Sequence, residues 1–169
     1  MFRKYKGELG LALTAFIWGS GFIGVSISLS GGLTPLQILT IRFFIGAILL
    51  GVIFFKEIKN NITKEAVIAG SMIGVFLFIA FVFQTIGISY TTASKNAFLT
   101  AINVVIVPFI GFILYKRPLD KYGIISSIIA ILGIGILSLD VDFTINFGDF
   151  LTIICAFGFA FHIFFTGEF

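Results

Sequence analysis

Six long runs of residues with almost no charged side chains constrain the fold of this chain more than any other feature. Each run is long enough to cross a hydrocarbon core of about 30 Å as a helix that rises about 1.5 Å per residue. Arg42 is the one charged side chain inside any of them. The runs are Leu9–Leu29, Pro35–Phe55, Ala66–Ser94, Asn96–Tyr115, Tyr122–Leu139 and Phe150–Gly167. This pattern predicts an all-α, polytopic membrane helix bundle surrounded by the lipid bilayer.

Composition excludes an ordinary soluble domain. The chain is 59% hydrophobic and 11% charged, against about 25% charged in soluble proteins, and a soluble fold of this length has too small an interior for that apolar surface. The first run is too long for a signal peptide, so we expect a retained helix. The basic residues lie in segments that flank the runs. The net charge of +3 therefore indicates membrane orientation, and no nucleic-acid partner is expected.

The basic residues alternate between loops and predict the topology. They are concentrated before span 1, after span 2 and after span 4, whereas segments 30–34 and 140–149 hold none and only Lys95 lies near the remaining loop. The residues concerned are Arg3, Lys4, Lys6, Lys56, Lys59, Lys64, Lys116, Arg117 and Lys121. By the positive-inside rule, we expect a multi-pass protein of the cytoplasmic membrane with a cytoplasmic N-terminus.

Small residues within the runs predict close packing of helices. Gly70 and Gly74 form a GxxxG pattern, which is typical of helix contacts in membranes.

The chain has a single cysteine, Cys155, which excludes an internal disulfide and a cysteine-rich metal site. Because it lies in an apolar run, we expect it to be a small core residue.

Sequence similarity between two segments of the chain predicts an internal repeat. The segment from Gly148 to Phe157 aligns without a gap with the segment from Gly7 to Phe16, sharing glycine, alanine and phenylalanine and keeping an acid at the helix start. After five crossings, a second copy would enter the membrane upside down. We therefore expect a first five-helix repeat over 8–139 and the first helix of an inverted second repeat over 148–169. Two full repeats need about 280 residues, so the expectation is a fragment or truncated product of a ten-helix protein.

An ordered series of motifs carries a family resemblance. The series is Gly7-Glu8, Ala15-Phe16-Ile17-Trp18-Gly19-Ser20, Pro35, Arg42-Phe43, Gln84-Thr85-Ile86-Gly87, Tyr90-Thr91-Thr92-Ala93-Ser94, Val107-Pro108, Ile131-Leu132-Gly133-Ile134-Gly135, Gly148-Asp149 and Ala160-Phe161-His162. It resembles the EamA-type members of the drug/metabolite transporter superfamily. The resemblance implies a ten-helix carrier of two inverted five-helix repeats that moves small organic solutes. Where many members carry Gly-Glu after helix 4, this chain reads Tyr115-Lys116-Arg117-Pro118.

Arg42 is the most unusual candidate for a functional residue. It lies seven residues after Pro35, about 10 Å below the predicted outer surface. A guanidinium at the helix centre costs about 2.5–3.5 kcal/mol even on insertion scales, so it is expected to face a cavity or a partner. The alternative is that the side chain snorkels to the interface and only anchors the helix.

Span 4 carries the clearest polar stripe. Asn96, Thr100 and Asn103 occupy positions i, i+4 and i+7 and share one face of a helix. Pro108 cannot bond the carbonyl of Val104, next to Asn103, so a kink is expected there. Polar groups beside a freed carbonyl favour a substrate path, although asparagines can also hold neighbouring helices together.

Three further residues are weaker candidates for the substrate path: Trp18 near the middle of span 1, Gln84 in span 3 and His162 in span 6. His162 is the only histidine, and proton coupling would single it out because it titrates near neutral pH. A neutral histidine bonded to a neighbouring helix is the alternative. Trp18 either lines a cavity or fills the core.

The sequence therefore predicts a secondary carrier that works by alternating access, with no cofactor, no metal and no enzymatic activity. Neither a nucleotide-binding motif nor a convergent set of catalytic groups is present. Its expected partners are the lipid bilayer, a small solute of unknown class, and a missing C-terminal half or a second copy. The alternative is a non-transporting scaffold or a half-transporter that needs a partner half.

Overall fold

The structure, a computed structural model, describes residues 6–119, 121–138 and 145–169. Within these ranges every regular element is a helix. The helices are α1 (Lys6–Ser30), α2 (Pro35–Ile53), α3 (Phe55–Asn61), α4 (Lys64–Ile88), α5 (Ala93–Thr100), α6 (Asn103–Tyr115), α7 (Lys121–Ser138) and α8 (Phe147–Glu168). Arg3 and Lys4, which contribute to the predicted topology, lie outside the described residues, as do part of the segment 140–149 and the predicted repeat boundary at 139.

Five helical segments of the described chain are long and apolar enough to cross a membrane. They are Gly7–Ser30, Pro35–Ile53, Lys64–Ile88, Ala93–Tyr115 and Phe147–Glu168, and a shorter apolar helix covers Lys121–Gly133. The predicted class, an all-α polytopic membrane bundle, is confirmed. The third predicted span stops earlier than expected, at Ile88, because a turn at Ser89 and Tyr90 separates α4 from α5.

Local sequence signals set several helix ends. Thr34 caps α2 through a capping box with Gln37, and Pro35 occupies the first turn, where its missing N–H costs nothing. Asn146 caps α8 in the same way with Asp149. After α1 the chain turns at Gly32, whose φ of 91° is a left-handed conformation that suits glycine.

Helix α8 packs against α4, α5 and α6 and occupies the centre of the described bundle. Its partnership with α4 is the most extensive and rests on small residues. A Cβ at Gly148 would lie 2.5 Å from the carbonyl oxygen of Gly87, and a Cβ at Gly158 would lie 3.0 Å from the Cβ of Ala80. Only glycine allows backbones to approach so closely. By contrast, α1 leaves side chains such as Phe16 75% exposed, an apolar surface suited to lipid or to further protein.

The fourth span is interrupted rather than continuous. Helix α5 ends at Thr100 and α6 begins at Asn103. Between them the backbone tightens into i→i+3 bonds, in which the N–H of Ile102 donates to the carbonyl of Leu99 at 3.2 Å. The sequence predicted a kink beside Asn103, where Pro108 cannot bond the carbonyl of Val104. In the structure Pro108 lies inside α6, and the break directly precedes Asn103.

Candidate functional site

A cluster of buried polar side chains joins α4, α5 and α8. The Asn96 carboxamide nitrogen donates to the carbonyl oxygen of Gln84 at 3.2 Å and to the Thr152 hydroxyl at 2.6 Å. The Gln84 carboxamide nitrogen donates to the Thr100 hydroxyl at 3.3 Å, and that hydroxyl lies 3.6 Å from the Cys155 sulfur. The hydroxyl of Thr152 also donates to the Gly148 carbonyl at 2.7 Å. We call Gln84, Asn96, Thr100, Thr152 and Cys155 the polar cluster.

Glycine makes room for this cluster. A Cβ at Gly87 would lie 2.8 Å from the Thr152 hydroxyl and 3.0 Å from the Asn96 carboxamide nitrogen. Asn96 is fully buried, and within the described residues its carboxamide oxygen has no hydrogen-bond partner. Such an oxygen keeps its capacity to accept a hydrogen bond, and buried groups in this state are uncommon.

A cavity of about 300 Å³ lies beside the helix break, between α1, the ends of α5 and α6, and α8. Trp18 and Phe22 line it from α1, Thr100 and Asn103 from the break, and Ile163 from α8. The Trp18 ring packs edge-on against Phe159, with ring centroids 5.7 Å apart. The structure therefore brings three sequence candidates together here: Trp18, Thr100 and Asn103. Thr100 connects the cavity to the polar cluster, which contains two more, Gln84 and Asn96.

Arg42 lies apart from this cavity. Its guanidinium carbon stands 4.5 Å from the centroid of the Phe81 ring, a cation–π contact. The residue lines a second cavity of about 300 Å³ between α1 and α2, with Val25, Ser28 and Ile38 among its other walls. The aromatic face of Phe81 is thus one partner that offsets the cost of this charge.

His162 also lies outside the cavity and the polar cluster. Its Nδ1 is 3.1 Å from the backbone carbonyl oxygen of Ile73 in α4. Because a carbonyl oxygen only accepts, this contact places a hydrogen on Nδ1. The contact ties α8 to α4 about two turns beyond Cys155.

A buried ion pair between α5 and α8 was not predicted from the sequence. The Lys95 ammonium lies 2.7 Å from one carboxylate oxygen of Asp149, and the two side chains are 13% and 2% exposed. The Thr91 hydroxyl donates to the other oxygen at 2.8 Å. The backbone N–H of Asn146 also donates to Asp149 at 3.0 Å. The sequence indicated Asp149 only as an acid at a helix start, and the capping-box pattern that begins at Asn146 is the signal that could have drawn attention to it.

A second ion pair closes the opposite end of α8. Arg117, which follows α6, forms a bidentate pair with Glu168 at 2.6 and 2.9 Å. Its side chain is 58% exposed. The two pairs fix both ends of the central helix, but only the pair at Asp149 is largely removed from solvent.

Comparison with known proteins shows which protein family the chain matches. Residues 5–139 match the EamA-like transporter family. An uncharacterized transporter of Archaeoglobus fulgidus is 36% identical over 154 residues, which make up 91% of this chain and 46% of that protein. An uncharacterized transporter of Clostridium kluyveri is 31% identical over 141 residues, 78% of this chain and 44% of that protein. No solved structure gives a significant match.

These matches agree with the helices and the motif series. The chain spans about half the length of these two relatives. Several apolar helices together with the family match identify a multi-pass membrane protein, and both relatives are named as transporters. The family match extends over most of the chain. The chain belongs to the EamA-like transporter family.

Proposed function

We propose that this chain is part of a secondary carrier of small organic solutes, and that the cavity beside the break in the fourth span forms part of the solute path. The observation that carries this proposal is the break itself, where α5 ends at Thr100 and α6 begins at Asn103. Carriers of several folds bind their solutes at discontinuous helices, because irregular backbone at membrane depth is tolerated only beside protein or a cavity.

The surroundings of the break favour a binding role over simple packing. Within a largely apolar bundle, Gln84, Asn96, Thr100 and Asn103 are each at least nine-tenths buried around this point. Placing four polar side chains in a low-dielectric interior is unfavourable unless their hydrogen bonds are used. Three of them are hydrogen-bonded within the polar cluster. The fourth, Asn103, lies outside the cluster and lines the cavity.

The proposed working unit contains two inverted five-helix repeats that exchange access between the two sides of the membrane. In this assignment, 8–139 is the first repeat and 148–169 is the first helix of the second. The remaining helices come from a C-terminal half or from a second copy. Both relatives are about twice as long as the matched region, which supports a two-repeat unit. The exposed apolar side chains of α1 leave surface for such a partner.

The proposed location is the cytoplasmic membrane with the N-terminus in the cytoplasm. The Lys and Arg bias supports this orientation. The end of the bundle that holds Lys95 and Asp149 would then face outward, and the end that holds Arg117 and Glu168 would face inward. The carrier is proposed to be non-enzymatic, and a gating role for Arg42 and proton coupling through His162 stay predictions.

Flux measurements test the proposal. The protein is reconstituted into liposomes, and saturable uptake is measured for amino acids, sugars, cationic drugs and uncharged amides. We expect saturable flux of at least one class above that of empty liposomes. Absence of flux over the whole panel, with the protein folded and inserted, would favour the alternative of a non-transporting scaffold or an unpaired half.

A further inference from the structure

Asn103 presents a hydrogen-bonding group that the protein does not use. The residue is 6% exposed and lines the cavity beside the helix break. Among the described residues, its carboxamide makes no hydrogen bond. In the described part of the chain, the fully enclosed side-chain polar atoms without a partner belong to Thr85 and Asn96, so the polar atoms of Asn103 stay accessible from the cavity. The cavity therefore contains one donor and one acceptor available to a ligand.

The opposite wall of the cavity is aromatic. Trp18 is 40% exposed and lines the same space as Asn103, together with Phe22. Within the described chain the indole N–H of Trp18 has no acceptor. An aromatic wall suits the apolar body of a ligand and leaves its polar group for Asn103.

Charge is lacking at this cavity. Of the described residues that line it, none is ionisable, and those other than Trp18, Phe22, Thr100 and Asn103 are alanine, glycine, valine or isoleucine. The nearby charges are engaged elsewhere: Arg42 lies over Phe81 at a different cavity, and Asp149 is paired with Lys95. A charged ligand would lose its hydration here without gaining a counter-charge, which is strongly unfavourable.

We propose that this cavity binds a small uncharged solute with an apolar body and a group, such as a carboxamide, that both donates and accepts a hydrogen bond. The Asn103 carboxamide pairs with that group, and Trp18 and Phe22 contact the apolar body. This inference rests on the proposed function, because it assigns a substrate class to the same cavity. Because the lining that this chain supplies holds no ionisable side chain, we expect zwitterionic amino acids and organic cations to bind it more weakly than the neutral solute.

The test uses Trp18 as a reporter, since it is the only tryptophan of the chain. The purified protein in lipid nanodiscs is titrated at about pH 6, where an α-amino group is protonated, with three compounds that share a benzyl group: neutral N-acetylphenylalanine amide, cationic phenylalanine amide and anionic N-acetylphenylalanine. We expect each compound's effect on Trp18 emission to be saturable. The concentration that gives half of the change should be at least tenfold lower for the neutral compound than for either charged compound. The comparison within this series requires no variant.

Variants of Asn103 then test whether its carboxamide contributes to binding. Asn103→Leu keeps the branched shape and the number of side-chain heavy atoms and removes both hydrogen-bonding atoms, so binding of the neutral compound should weaken about tenfold. Asn103→Ala serves as the second variant if the first does not fold, as judged by circular dichroism. The matched control is Asn61→Leu, at an exposed position in α3, which should bind like the unchanged protein.

Three results would overturn the inference: equal or tighter binding of a charged compound, no saturable response to any of the three, or neutral binding that Asn103→Leu leaves intact. The flux measurement separates this failure from failure of the proposed function. Saturable transport of a charged solute, unaffected by Asn103→Leu, would keep the carrier and reject the neutral substrate class. Absence of all flux would favour a non-transporting scaffold or an unpaired half, whatever the binding result.

Discussion

At the scale of single residues, glycine and buried polar groups define the site together. Gly87 lies where α4 meets α8, and the polar cluster occupies the space that its missing side chain leaves. A Cβ there would displace Thr152 or Asn96, whose contacts of 2.6 Å to each other and 3.2 Å to Gln84 hold three helices in register.

We predict that Gly87→Ala destabilises the protein by about 1–3 kcal/mol, the usual range for overpacking a tight core. The matched control is Gly74→Ala in the same helix, where a Cβ meets nothing within 4 Å of the described structure. That control should be neutral or slightly stabilising, because alanine favours a helix. Thermal unfolding in detergent measures both. Equal stability of the two variants would show that the approach at Gly87 is not tight.

Residue types that must be buried could be predicted from the sequence, but their partners could not. Asn96, Thr100 and Asn103 stand out because amides and hydroxyls are rare in apolar runs, and all three are buried. The GxxxG pattern was misleading, since neither Gly70 nor Gly74 has a close neighbour among the described residues. Which glycines meet another helix depends on how the helices rotate and cross, and one chain's pattern does not fix this.

At the scale of elements, α8 is the helix around which the described bundle is organised. It contacts α4, α5 and α6, forms part of the cavity wall, and carries an ion pair at each end. The sequence identified this segment as an additional span but not as a central one. The sequence predicted a kink beside Asn103, but it did not predict that the helix would be interrupted before Asn103, where the chain tightens at Ala101 and Ile102.

The two ion pairs of α8 should differ in their contribution to stability. Removing one partner of a buried pair leaves an uncompensated charge and typically costs about 3–5 kcal/mol, whereas exposed pairs contribute about 0–1 kcal/mol. We therefore expect Asp149→Asn to lower the free energy of unfolding by several times more than Arg117→Gln, whose side chain is 58% exposed. Denaturant unfolding in detergent compares them.

A double variant separates the charge from the rest of the contact. With Lys95→Met added to Asp149→Asn, neither charge remains buried, so part of the lost stability should return. If Asp149→Asn and Arg117→Gln cost the same, or if Lys95→Met restores nothing, the pair at Asp149 does not hold α5 against α8 in the way its burial indicates.

For the whole molecule, the family and the proposed solute path point to the same function. The family match and the apolar helices make this a multi-pass membrane protein of the EamA-like transporter family. The cavity beside the helix break supplies a candidate path at Asn103. The overall class was predictable because apolar runs of membrane length have few alternative folds. The cavity was not, because it forms between helices that are distant in the sequence.

If Asn103 lies on a solute path, a thiol placed at this position should be reached from water, and cysteine accessibility measures this. In a Cys155→Ala background, which removes the single native cysteine, Asn103→Cys is exposed to a small hydrophilic thiol reagent. Ile113→Cys, on the same helix and 72% exposed to the surroundings of the bundle, is the control for a lipid-facing thiol. We predict that the thiol at 103 reacts, that a transported solute protects it, and that the thiol at 113 stays unreactive. If the thiol at 103 never reacts in protein that still transports, Asn103 does not lie on the solute path.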